Sequence, residues 1–198
     1  MDEPAGQGRG AAYMGGIIGR MYRDKDIIEN CFVSGDLIVG ISSSSSNVRV
    51  GGLTSQVYRD GNIIRNSYFS GTIRVAGNVD LGGIAGLVDN KASVVENCYS
   101  VGKIIKVEGA SGNIYDAFGS MSATPTIKNV YALSNGGQAF APSVNNNTTN
   151  SGTRSDSELK ASDSYLNWNN FSSVWEIKVG SYAYPSLKSN PHKEKGEL

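Results

Sequence analysis

Residues 82–102 read GGIAGLVDNKASVVENCYSVG, and the same skeleton occurs twice upstream. Gly15-Gly16-Ile17, Gly51-Gly52-Leu53 and Gly82-Gly83-Ile84 recur, and Asn30, Asn66 and Asn97 each follow 14 residues after the second Gly. Five residues beyond each Asn stands another glycine: Gly35, Gly71 and Gly102. A fixed period in the range of roughly 20–50 residues decides the architecture before any local propensity does. The period is 36 and then 31, and the run Ser42 to Ser46 accounts for the difference as a loop at one corner. A fourth, degenerate copy keeps Ile127, Asn129 and Tyr131, with Asp116-Ala117 where the glycine pair is expected. Residues 1–12 form a truncated lead-in.

Aligned on the Asn, the copies read as columns. Ile28, Ile64, Val95 and Ile127 stand two residues before it, and branched aliphatics suit a buried strand face. Glu29, Arg65, Glu96 and Lys128 come next and face solvent, because strand side chains alternate. Their signs also alternate from copy to copy, as stacking about 4.8 Å apart requires if each charge is to meet its opposite. Each copy offers three short strands, in the first case around Met14 to Met21, Ile27 to Val33 and Leu37 to Gly40. No 3.6-residue period persists through residues 13–135. One such unit cannot bury its own apolar face, so copies must stack coil on coil. The expected fold is all-β: a right-handed parallel β-helix (solenoid) of about four rungs, with a C-terminal capping segment containing a short helix.

Composition agrees with frequent turns. Gly, Ser and Asn make up 69 of the 198 residues, well above ordinary helical usage. Eighteen basic residues balance eighteen acidic ones, so no global field favours nucleic acid or an anionic membrane. No apolar run reaches the roughly 20 residues of a membrane helix, and Met1 to Gly10 lacks the apolar core of a signal peptide. A soluble chain is expected, with any export signal outside these residues.

The pattern Gly82–Val88 followed by Val94–Gly102 resembles the GLUG repeat, and the likeness extends over residues 13 to about 135. That repeat belongs to bacterial surface proteins, adhesin-like proteins and the non-catalytic region of IgA-protease-like metallopeptidases. Trp168, Val174-Trp175-Glu176-Ile177 and Tyr184-Pro185-Ser186-Leu187 are similar to the ending that often follows such repeats. Two departures stand out: Ser55 replaces the glycine found at Gly19 and Gly86, and the fourth copy lacks the glycine pair. The resemblance implies a stacked solenoid at the cell surface or outside the cell, and carries over no catalytic residue. It divides the chain into GLUG-type repeats over 13–147, a linker and C-terminal cap over 148–188, and a disordered tail over 189–198.

Few residues invite chemistry. Asn30, Asn66, Asn97 and Asn129 are expected to form an inward amide ladder rather than a binding strip, since an unpaired buried amide is costly. The aromatic column Phe32, Tyr68, Tyr99, Tyr131 lies two residues beyond it. Strict alternation would bury this column, whereas a bend at the Asn would expose it. Tyr68, Tyr99 and Tyr131 are therefore the candidate binding residues, for a host protein or a glycan. Cys31 and Cys98 fall two rungs apart with Ser67 between, about 9.6 Å and beyond the roughly 7 Å a disulfide spans, so both should be free thiols. Asp24, Asp26 and Asp60 read as turn residues, because Lys91 occupies the column of Asp24 and Asp60 in the third copy and calcium needs six to eight oxygens. Arg23 and Arg59 read as solvent-facing. His192 is the only histidine, which leaves triads and multi-histidine metal sites unsupported. No cofactor, metal or catalytic residue is expected, and a monomer is.

Thr148 to Asp156 reads as a linker. Ser155 and Glu158 have capping-box spacing, predicting a short helix through Leu159 to about Leu166. The aromatic cluster from Trp168 to Tyr184 is expected to cover the open solenoid end. The functional expectation is a non-catalytic extracellular contact surface or spacer, with a carbohydrate-binding or carbohydrate-active β-helix as the alternative.

Overall fold

The structure, a computed structural model, describes residues 11–40, 48–134, 137–142, 148–178, 180 and 182–192. Residues 1–10 of the expected lead-in, the serine run and the tail beyond His192 lie outside the described residues, and Ala12 of that lead-in already belongs to the first strand. The chain winds as a parallel β-solenoid of about four turns. Each turn contributes to stacked parallel sheets, with four strand positions where three were expected. The first sheet stacks Ala12–Gly15, Val48–Gly51, Asn78–Gly82 and Ser111–Tyr115. The second stacks Ile18–Met21, Thr54–Val57, Ala85–Val88 and Phe118–Met121. The expected first strand is thus cut in two at the glycine pair.

That corner is tight. A Cβ on Gly51 would overlap the Thr54 carbonyl and crowd the Ala85 Cα; one on Gly52 would overlap the Gly83 carbonyl and the Phe69 ring. Backbone therefore stacks directly on backbone at the bend, which only glycine permits. In register, Tyr115 pairs with Gly82, so Tyr115-Asp116 take the glycine columns of the fourth rung. That is one residue earlier than the expected Asp116-Ala117; the turn leading into Thr126 is one residue shorter than its predecessor, so the second column stands 13 residues before Asn129 where the other copies have 14.

The third sheet stacks Ile27–Glu29, Ile63–Arg65, Val94–Ser100 and Thr126–Leu133. The short strands Phe32–Val33 and Tyr68–Phe69 continue it beyond the Asn. Glu29, Arg65, Glu96 and Lys128 pair in one column as expected. Arg65 Nε donates to Glu29 Oε1 at 2.8 Å. Ile28, Ile64, Val95 and Ile127 are buried in the main core. The fourth sheet stacks Asp36–Val39, Thr72–Val75 and Lys103–Lys106.

A partial fifth turn follows, beginning near Phe140 and running into the stretch from Thr148 that was expected to be a linker. Phe140 bridges Phe118, and their rings stack at 5.5 Å. Thr148–Thr149 and Gly152–Arg154 pair with Thr126–Leu133. These strands are polar throughout, because at the end of the stack they pair along one edge and bury no apolar face of their own.

The capping box forms, with Glu158 N–H donating to Ser155 Oγ at 3.3 Å and Ser155 N–H to Glu158 Oε2 at 2.7 Å. The helix it starts covers only Asp156–Leu159, and a 3-10 turn at Ser162–Tyr165 follows in place of the continuation expected to Leu166. Ala161 is extended between them, and Tyr165 Oη donates to the Leu159 carbonyl at 2.6 Å. A second short helix, Phe171–Val174, leads into the antiparallel pair Trp175–Ile177 and Pro185–Leu187.

Candidate functional site

The asparagines of the ladder determine what the third sheet presents on each side. Asn30, Asn66, Asn97 and Asn129 all have φ between 49° and 56°, a left-handed conformation that Asn tolerates better than most residues. Asn150 joins them at φ 47° as a fifth member. Asn97 Nδ2 reaches Asn66 Oδ1 at 3.5 Å, Asn129 Nδ2 donates to Asn97 Oδ1 at 2.9 Å, and Asn150 Nδ2 to Asn129 Oδ1 at 2.9 Å. At the first rung, Asn30 Oδ1 is buried without a donor.

One left-handed residue shifts the strand's alternation by one. The residue after the Asn therefore turns inward, where Cys98 and Val130 join the main core. Ser67 Oγ donates back to the Arg65 carbonyl at 2.8 Å and accepts from Cys31 N–H at 3.2 Å. The thiols of Cys31 and Cys98 make the same backward contact, to the carbonyls of Glu29 at 3.1 Å and Glu96 at 3.2 Å. Cysteine and serine are interchangeable here because each supplies a small donor. Both cysteines are free, and burial pushes the Cys98 thiol up to about 12.

The aromatic column consequently points out of the main core, yet it is not a surface. Tyr68, Tyr99 and Tyr131 are 0% exposed. Phe32–Tyr68 and Tyr68–Tyr99 stack at 5.0 and 4.8 Å, the rung spacing itself. The C-terminal segment lies along this flank rather than over the solenoid end. Trp168 stacks on Tyr131 at 5.6 Å, and Trp175 packs 5.9 and 5.8 Å from Tyr68 and Tyr99. Tyr99 Oη donates to the Pro185 carbonyl and contacts Tyr182 Oη at 2.8 Å. Burial raises the Tyr68, Tyr99 and Tyr182 hydroxyls above the usual tyrosine range. Part of the expected disordered tail is ordered too: His192 stacks on Tyr182 at 3.5 Å and meets Tyr68 Oη through Nδ1 at 3.1 Å. As binding residues, Tyr68, Tyr99 and Tyr131 are withdrawn by the chain's own cap, which supplies the apolar cover that an outward aromatic column requires.

A second aromatic group does reach the surface, on the first two rungs. Tyr13 and Arg49 pair across the first sheet, Arg20 and Gln56 across the second. Tyr22 and Tyr58 follow the second strands and stack at 5.6 Å with their planes 3° apart. The Arg20 guanidinium lies 3.9 Å from the Tyr58 ring centroid, 4.6 Å from that of Tyr22 and 4.7 Å from that of Tyr13. Arg59 covers Tyr58 and Tyr22 at 4.9 and 5.1 Å. Arg49 Nη1 donates to Gln56 Oε1 at 3.2 Å and reaches Tyr13 Oη at 3.4 Å. Columns counted only from the Asn hid this cluster. Arg23 and Arg59 share a column, as do Tyr22 and Tyr58, and that repetition was the available signal.

A groove of about 630 Å³ opens beside Lys103–Lys106, lined by Ile104, Lys106, Ile114, Asp116 and Leu133 among others. Burial pushes the Asp116 carboxyl up to about 6, against a smaller opposing pull from Lys106. Asp116 Oδ2 has no hydrogen-bond partner. Because the folded value lies above the unfolded 3.8, the folded chain binds the proton more tightly, and stability falls as pH rises from about 4 through 6. Asp116→Asn should remove that slope and stabilise the protein at pH 7.5 by at most about 1 kcal/mol, the half-exposed group being screened by solvent. Urea unfolding at pH 4.5 and 7.5 checks this; an unchanged slope would place the proton elsewhere.

Asp26 Oδ2 accepts from Arg23 N–H at 3.0 Å, and Asp60 Oδ1 from Asn90 Nδ2 at 2.5 Å, both as turn groups. Among the described residues no three His, Cys, Asp or Glu side chains gather to hold a metal ion. No helix among them is long and apolar enough to cross a membrane. Comparison with protein-family models, with curated proteins and with solved structures finds no match.

Proposed function

We propose that this chain is a non-catalytic solenoid segment of a bacterial surface or secreted protein of the GLUG-repeat type, serving as an adhesin-like contact surface. The observation that carries this reading is the Arg–Tyr cluster on the first two rungs. Stacked, partly exposed tyrosines with guanidinium groups over them are the residue types that dominate recognition surfaces. The solenoid presents the cluster on a frame held by internal amide and aromatic columns.

A glycan and host-matrix protein array with the purified chain tests the reading. Tyr22→Ala/Tyr58→Ala should abolish capture while far-ultraviolet circular dichroism stays unchanged, since Tyr22 is 52% exposed and Tyr58 only partly buried. Capture that survives in this variant would remove the cluster from the contact, and no capture by the parent chain would favour a spacer.

A further inference from the structure

We propose that the Arg–Tyr cluster binds an acidic oligosaccharide, a saccharide carrying carboxylate or sulfate groups; this rests on the contact-surface reading and names its ligand class. The charge balance of the cluster is the first argument. Arg20, Arg49 and Arg59 form no ion pair among the described residues. The carboxylates nearby are engaged by neutral donors: Asp60 by Asn90 Nδ2, Asp89 by Gln56 Nε2 at 3.1 Å and by Ser122 Oγ, and Asp80, which pairs with Arg49 across the first sheet, by Asn113 Nδ2 at 2.8 Å. Three cations thus share one small area with no carboxylate in ion-pair contact with any of them.

The second argument is how the cations are held. Arg20 Nε and Arg49 Nε are buried without an acceptor. The Arg20 guanidinium is fixed by three tyrosine rings, not by oxygen. Ring contact orients a guanidinium while leaving its donors unspent, and a guanidinium recognises carboxylate or sulfate through two parallel N–H bonds. Beside these donors, the stacked Tyr22–Tyr58 pair, with Tyr22 52% exposed, offers aromatic surface against which the C–H groups of a sugar can pack. Anion and ring are thus matched by adjacent halves of one surface.

Isothermal titration with the full chain tests this, using a heparin-derived hexasaccharide (sulfated), an oligogalacturonate (carboxylated), maltohexaose (neutral) and a dT oligonucleotide. At least one acidic saccharide should bind, at least tenfold more tightly than maltohexaose, and weaken several-fold between 50 and 500 mM NaCl. The two acidic arms distinguish sulfate from carboxylate. Arg59→Gln, on an exposed side chain, should weaken binding at least tenfold. Arg20→Gln should do the same, and Arg20→Lys should restore only part of it, since charge returns without the planar fork. Equal binding of maltohexaose, indifference to both arginine variants, no binding of either acidic saccharide, or tighter binding of dT would each overturn the proposal. Array capture of a protein ligand that depends on Tyr22 and Tyr58, with no acidic-saccharide binding, would overturn it while leaving the contact-surface reading intact.

Discussion

Trp175→Ala should lower stability by about 3–5 kcal/mol, the usual cost of truncating a buried aromatic of this size. Trp175 is 2% exposed and joins the cap to the solenoid, touching Tyr68, Tyr99 and Trp168. For a chain of this length each kcal/mol is worth roughly 2–4 °C in Tm, so a fall of about 10 °C is expected in thermal unfolding followed by circular dichroism. Trp175→Phe should cost distinctly less, because the indole N–H it removes has no acceptor and a ring remains. A Trp175→Ala protein with an unchanged midpoint would show that the flank does not need its cover.

Asn97→Ala should cost about 2–5 kcal/mol for two separable reasons. An alanine held at φ 52° loses roughly 1–2 kcal/mol of backbone energy. Removing the amide also strands its neighbours in the ladder, since Asn129 Nδ2 donates to Asn97 Oδ1, and a buried polar group left unpaired costs about 1–3 kcal/mol. Asn97→Gly separates the two, because glycine accepts the left-handed backbone but restores no hydrogen bond. It should recover close to half of the loss in urea unfolding. Equal loss in both variants would assign the whole effect to the amides; full recovery by glycine would assign it to the backbone.

Much of the solenoid was legible because stacking turns sequence period into physical column. Ile28, Ile64, Val95 and Ile127, and the charges beside them, could be placed before any strand was seen. Three things were not legible, each for a definite reason. The glycine pair reads as a gap within one strand unless one knows that backbone packs on backbone there. The fifth turn around Asn150 has its glycine pair, Gly136-Gly137, one residue out of the earlier spacing and carries few apolar residues, so its polar surface reads as a linker although its Asn and Ser151 repeat the ladder pattern. The fate of Tyr68, Tyr99 and Tyr131 depended on two facts together, the shift in alternation and a cover made by residues more than thirty positions further along. The surface cluster went unseen because its members belong to columns that only two rungs share.

The order in which the chain is made gives the aromatic flank another significance. Synthesis runs from the N-terminus, so the rungs bearing Phe32, Tyr68, Tyr99 and Tyr131 are complete before Trp168 and Trp175 exist. For that interval the nascent protein carries an uncovered apolar strip along a folded edge, the kind of surface that draws other chains into aggregates. A fragment ending before the cap would keep that strip permanently. The last fifth of the chain therefore acts as a built-in escort for the rest, and prompt delivery of it protects the nascent chain from its neighbours.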